Sequence, residues 1–256
     1  MPRIILFFII IISLTCASRL EHDRTIVLDD GLSYRYLDID SGKYPVKKSF
    51  SIFYVQINPD KYEIDLLRAR DYKHKLMTAR DFANNAQSLL VINASFFDKK
   101  LRAIGLQIKK GKRFKHVARV DGGVFYIREN QAKICHTRNY TYHKNIRLAV
   151  QGLPRLVHNG SIIERLKNRL ARRSFVGVTK DNQIILGVTM NSRAYIRDLA
   201  KILALKSESG GVGCHYALNL DGGSSTQLFM KHNGFKLYVA GSSAVPNALG
   251  IFPKAK

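Results

Sequence analysis

Short apolar or alternating segments recur along the chain and are separated by turn-forming residues, a pattern that predicts strands far more often than helices. Leu32–Ile39 and Phe50–Ile57 are dense in aromatic and β-branched residues. Residues 62–67 alternate in part behind the Asn58-Pro59-Asp60 turn, and the three segments together predict an opening antiparallel set. Thr78 is placed to cap a short helix over 79–87 that leads into an apolar strand at 89–92. Further strands are predicted at 104–109, 123–127, 148–150, 155–157, 175–179 and 183–189, several joined by turns such as Lys110-Gly111-Lys112, Asn159-Gly160 and Asp181-Asn182. The strongest helical pattern covers 194–206, with Ile196, Leu199, Ala200 and Leu203 on one side and Asn191 or Ser192 available as cap. Strands at 216–220, 227–230, Phe235–Val239 and 248–252 close the chain. The expectation is an α+β fold: a single mixed domain rich in strands, with helices packed on the sheet and no repeat or long linker dividing it.

The N-terminus changes what counts as the working protein. Residues 1–3 carry one cation, residues 4–14 are apolar apart from Ser13, and Thr15-Cys16-Ala17 supplies small residues for cleavage. This is the layout of a signal peptide, and the apolar run falls short of the roughly 20 residues of a spanning helix. Cleavage after Ala17 is expected; lipid attachment at Cys16 and an uncleaved anchor are the alternatives. Removing 17 of the 256 residues and one of the 42 cations leaves 239 residues with a formal charge of +22. An exported protein is therefore expected, periplasmic or extracellular in a bacterium and in the secretory pathway of a eukaryote. Its basicity favours anionic partners, including an anionic envelope surface, without naming a reaction. With 46 % hydrophobic residues a packed core is expected, which excludes a disordered solvating chain. Cys135 and Cys214 are left as a possible disulfide, or as two buried free thiols. The sequence has no Cys-x-x-Cys and no His-Glu-x-x-His, so neither a metal nor a cofactor is expected.

Three segments carry candidate chemistry. In the first, Val91-Ile92-Asn93-Ala94-Ser95-Phe96-Phe97-Asp98, an apolar strand runs into polar groups. Asn93 offers both a donor and an acceptor to sugar hydroxyls, and Phe96 or Phe97 an apolar wall under a ring. The plainer reading is a strand-terminal turn plugged by phenylalanines. In the second, Asn219-Leu220-Asp221-Gly222-Gly223-Ser224-Ser225-Thr226, a strand ends in a carboxylate followed by two glycines whose N–H groups can form an anion nest. Asp221 is a candidate acid, base or nucleophile. The same tripeptide at Asp121-Gly122-Gly123 reads as an ordinary turn before a strand. The third is Arg172-Arg173-Ser174, where a guanidinium can hold two phosphate oxygens, although an arginine pair in so basic a chain also suits a solvated surface.

Taken in order, Asn-Ala-Ser-Phe-Phe-Asp at 93–98, Gly105, the segment 152–160, Arg173-Ser-Phe-Val-Gly177, Asp198, Leu-Asn-Leu-Asp-Gly-Gly at 218–223 and Pro246-Asn-Ala-Leu-Gly250 resemble the phosphodiester glycosidase family. The resemblance covers 89–256 as the family domain and leaves 18–88 as variable N-terminal strands of the same unit. It implies hydrolysis of a glycosyl phosphodiester, N-acetylglucosaminyl or another, at the anomeric C–O bond. Asp221, Asn93, Arg173 and, as second carboxylate, Asp98 would be catalytic. Phe97, Gly222, Gly223, Ser225, Arg155 and Asn219 would bind an anionic sugar phosphate or polysaccharide. Ser95 and Ser224 stand where the family usually has glycine, and Ser242-Ser243-Ala244-Val245 lacks an arginine that many members carry, so the sugar and aglycone are left unassigned. A glycosidase of ordinary envelope glycosidic bonds and a non-catalytic polyanion-binding envelope protein are the alternatives. Specific nucleic-acid recognition is not expected, because no recognised motif is present.

Overall fold

The computed structural model describes residues 23–254, so the expected signal peptide lies outside the described residues. Two α-helices and twenty strands fill the described chain, and α+β holds only in the sense of a β fold with few helices. Eight strands form one sheet in the order Thr25–Asp29, Leu32–Ile39, Phe50–Ile57, Ile184–Thr189, Ser174–Val178, Tyr216–Asn219, Arg155–His158, Ser161–Ile162. A second sheet of five strands runs Phe235–Val239, Leu228–His232, Leu90–Asn93, Asn247–Pro253, Tyr62–Arg68, and a third is centred on Ile146–Gly152.

Strand periodicity explains how the sheets are filled. In Phe50–Ile57, residues Phe53, Val55 and Ile57 point into the central core between sheets, whereas Phe50, Ile52 and Tyr54 point into a second core on the opposite face. Ile184–Thr189 divides the same way, with Ile184, Leu186 and Val188 on one side and Ile185 on the other. Successive side chains face opposite ways, so a strand buried on both faces reads as a continuous apolar run. The helix Ile196–Ala204 covers the second core with Leu199, Ile202 and Leu203. The helix Ala79–Ala86 covers the outer face of the five-stranded sheet with Phe82.

Local signals account for most boundaries. Thr78 accepts from the Asp81 N–H while the Asp81 carboxylate accepts from the Thr78 N–H, closing a capping box. Lys110-Gly111, Asn159-Gly160 and Asn233-Gly234 each have positive φ at both residues, the requirement of the tight hairpin turns they form.

Other expectations need correction. The strand Tyr62–Arg68 does not join Leu32–Ile39 and Phe50–Ile57; it pairs along its whole length with Asn247–Pro253 in the other sheet. The second helix starts at Ile196, not 194, because Ala194 and Tyr195 are used in a short ladder with Leu170 and Ala171. Ser192 does not cap it; its hydroxyl accepts from the Ser51 N–H instead. Lys112–Lys115 forms an unexpected strand, exposed along its length and charged as sheet edges commonly are. Cys135 and Cys214 remain free thiols. Cys214 is sealed in the core under the second helix and packs at Gly177, while Cys135 lies beside Arg155 against a different cluster.

Candidate active site

Two sheets meet where their strands end, and the ends are tied together by Asn93. This residue closes the strand Leu90–Asn93 and is 0 % exposed. Its Nδ2 donates to the Asp221 backbone carbonyl at 2.6 Å, while its Oδ1 accepts from Ser174 Oγ at 2.6 Å and from the Gln227 N–H at 3.1 Å. The Asp221 N–H in turn donates to the Ala94 carbonyl at 3.0 Å. Asn93 is thus a strut that positions Asp221, with no group facing the cleft.

Asp221 follows the strand Tyr216–Asn219 and lines a cleft of about 630 Å³. Its carboxylate accepts from the Gly222 N–H at 2.9 Å and from the Ser225 hydroxyl. Burial nevertheless pushes its pKa up from the ordinary carboxylate value, because desolvation outweighs those two hydrogen bonds. The expected anion nest is not built: the Gly222 N–H is spent on Asp221, the Gly223 N–H donates to the Arg172 carbonyl, and buried Ser225 sits behind Asp221. Glycine is still required at 222, where a Cβ would lie 2.8 Å from the Arg172 carbonyl oxygen. Gly222 and Gly223 line the cleft as a close-packed wall and not as donors.

The cations of the cleft stand beside that wall, where Gly222 packs against the Arg172-Arg173 backbone. Arg173 lines the same cleft and is 8 % exposed. Its guanidinium donates to the backbone carbonyls of Ala194 and Arg169 and, among the described residues, meets no carboxylate. Two of its five N–H groups are thereby used, leaving donors for an anion. Burial, and secondarily Arg169, pulls its pKa down to about 10. Arg165, Lys167 and Arg169 line the cleft beside it. Asn219 completes this wall; its Nδ2 donates to the Leu153 and Leu220 carbonyls, and its Oδ1, 3 % exposed as a residue, has no partner. A buried acceptor of that kind is costly unless something donates to it.

The structure therefore brings Asp221, Gly222, Gly223, Arg173 and Asn219 together and leaves three expected residues elsewhere. Asp98 closes a turn, accepting from the Lys100 and Arg102 N–H groups and pairing with the Arg102 guanidinium at 2.8 Å. Those contacts hold its carboxyl below the usual range. Phe97 packs under the first helix, and it is Phe96 that lines the cleft. Arg155 faces a different cleft.

Sequence reasoning passed over Asp121. Both Asp-Gly-Gly copies converge, and Asp121 is the second carboxylate on the cleft. His136 Nε2 lies 3.0 Å from its Oδ1, and the Arg138 N–H donates to His136 Nδ1, which places the proton on Nε2. Repetition of the tripeptide beside strands was a usable signal, as was the clustering of the cations Arg165, Lys167 and Arg169 within five residues.

A family model for phosphodiester glycosidases matches residues 86–252. The chain belongs to the phosphodiester glycosidase family. Among solved structures it is similar to the catalytic domain of zebrafish N-acetylglucosamine-1-phosphodiester alpha-N-acetylglucosaminidase, auto-inhibited by its pro-peptide, with TM-score 0.68 and 17 % identity over 92 % of this chain and 87 % of that one. A Synechocystis protein described as hypothetical matches with TM-score 0.59 and 17 % identity over 90 % of this chain and 64 % of that one. At these identities the likeness is one of fold. No curated protein matches the chain in sequence.

Proposed function

We propose that this phosphodiester glycosidase hydrolyses a glycosyl phosphodiester at the anomeric C–O bond, with Asp221 and Arg173 as the reacting and phosphate-holding groups. The observation that carries the reading is their pairing in one cleft: a desolvated carboxylate, and a buried guanidinium without a carboxylate partner among the described residues. A buried cation left without a counter-ion is unfavourable unless an anion comes to it, and a phosphodiester supplies one.

In the proposed step, water adds its oxygen to the anomeric carbon as the bond to the phosphate oxygen breaks. The bonding pair leaves on the phosphate, the proton from water passes to the Asp221 carboxylate and then to solvent, and the products are a free sugar and a phosphate monoester. The leaving group is already anionic, so strong acid assistance matters less than for an alkyl glycoside. Arg173 and Arg169 stabilise the charge gathering on phosphate, where fixed donors in a desolvated site act most strongly. Asn219 stands beside Asp221 in the cleft wall, and Phe96 supplies the apolar wall under the sugar. Asp121 takes the place given to Asp98 as second carboxylate. We place the enzyme outside the cytoplasm, on anionic envelope or secretory substrates.

Incubating the purified chain with an N-acetylglucosaminyl phosphodiester, and with glycosyl phosphodiesters of envelope polysaccharide, tests the proposal through release of free sugar. Turnover that disappears in Asp221→Asn supports it. Tight binding without turnover of any of them would replace it with a non-catalytic polyanion binder.

A further inference from the structure

A second cleft, of about 770 Å³, lies across the edge of the third sheet and the end of the eight-stranded one. Four permanent cations line it, Lys133, Arg138, Arg155 and Lys180, together with three histidines, and no carboxylate does. Among the described residues none of the four cations makes an ion pair. Unpaired cations are common in so basic a chain, although some pair with carboxylates, as Arg147 does with Glu63 and Lys109 with Asp71; what marks this cleft is that four of them share one concave wall. A concave wall that gathers unpaired positive charge concentrates field and draws anions to it.

This cleft adjoins the one that holds Asp221. His136 lines it, and the same imidazole bonds Asp121 on the other cleft. Gly123, two residues after Asp121, pairs with His136, and a Cβ there would come within 2.7 Å of Arg155 Cγ. A single thickness of chain at Asp121–His136 separates the catalytic cleft from the cationic one.

We propose that the second cleft is a subsite for the aglycone of a polymeric anionic glycan, a chain with repeated phosphodiester charges whose glycosyl phosphate is cut at Asp221. The assignment of a bond to cut rests on the function proposed above; the anion subsite does not. A glycan phosphate suits the cleft better than a nucleic-acid strand, because single strands are held by bases stacked on free aromatic faces. Here Tyr216 is engaged by His215 at 4.6 Å and His158 at 5.5 Å, and Tyr126 meets Tyr140 edge-on at 5.8 Å. Two adjoining cationic clefts would bind one polymer far more tightly than one unit of it, since the second contact is intramolecular.

Calorimetry on the whole chain with a synthetic glycerol phosphate hexamer and with glycerol 1-phosphate tests the subsite. The hexamer should bind at least tenfold more tightly than the monomer. Lys133→Gln with Lys180→Gln, two surface changes that should leave the melting temperature in place, should cut hexamer affinity at least fivefold, and Lys133→Glu with Lys180→Glu more than tenfold. Asp221→Asn should retain hexamer binding, so the subsite is read even if no substrate is turned over. Equal affinity for hexamer and monomer, or a charge-reversed pair that binds the hexamer as wild type does, overturns the proposal. A twelve-nucleotide single strand of DNA that binds as tightly as the hexamer overturns its glycan assignment. Hexamer binding by a chain that turns over none of the glycosyl phosphodiesters named above would overturn the glycosidase reading alone.

Discussion

Truncating Asn93 to alanine separates a positioning role from a substrate-contacting one. The side chain is fully buried and holds three partners: the Asp221 carbonyl, the Ser174 hydroxyl and the Gln227 N–H. Asn93→Ala leaves all three in a site too enclosed for bulk water, at about 1–3 kcal/mol for each orphaned group. Ser174 can rotate its hydroxyl, so the two backbone groups set the scale and the expected loss is about 2–6 kcal/mol. That is a large fraction of the roughly 5–15 kcal/mol that holds a domain together. At about 2–4 °C per kcal/mol for a chain of this size, the melting temperature should fall by roughly 4–24 °C. Urea unfolding followed by circular dichroism gives the free energy, and a sugar-release assay run well below the lowered melting temperature gives activity. Both should fall, with kcat more affected than KM, because Asp221 loses its anchor while the Arg173 wall is untouched. A loss of stability under about 1 kcal/mol, the low end for a single orphaned group, with KM raised and kcat preserved, would refute the strut and return Asn93 to the substrate-binding role expected from sequence.

Other outcomes follow from the same site. Arg173→Lys keeps a cation but loses the fork that grips two phosphate oxygens, and kcat/KM on a glycosyl phosphodiester should drop by about 10²–10³. Because burial raises the Asp221 pKa, the folded state holds its proton more tightly than the unfolded one, and stability is lost as pH rises from the ordinary carboxylate value through the raised one. Asp221→Asn should therefore melt higher than wild type at neutral pH and converge with it in acid, as thermal melts across pH would show. Asp121→Asn should lower kcat at least tenfold, whereas Asp98→Asn should leave kinetics unchanged and loosen only its own turn; the reverse order would restore Asp98 as second carboxylate. Thr78→Ala should remove the capping box for about 1 kcal/mol, seen in urea melts, without changing kcat.

Much of the secondary structure was legible because it is local. Thr78 and Asp81 write the first helix start in four residues, and Leu32–Ile39, Phe50–Ile57 and Phe235–Val239 follow from β-branched and aromatic runs with the residues read from sequence. Family membership was legible too, since it rests on the order of short motifs. What escaped was decided by partners distant in sequence. Tyr62–Arg68 looks as able to pair with Phe50–Ile57 as with Asn247–Pro253, and only the assembled sheet selects the latter. Asn93 and Ser225 look like ligands in sequence because amides and hydroxyls suit both substrates and buried struts; their burial behind Asp221 decides which. Asp98 and Asp121 are both carboxylates near a strand, and the difference between them is that Arg102 claims the first while the second lines the cleft that holds Asp221. The sequence by itself determined the strand-rich fold and the family, and put forward Asp221 and Arg173 as candidate chemistry. Only the tertiary structure decided which side chains face the cleft, because facing is a relation between residues 52 positions apart, as Arg173 is from Asp121, and local pattern carries no record of it.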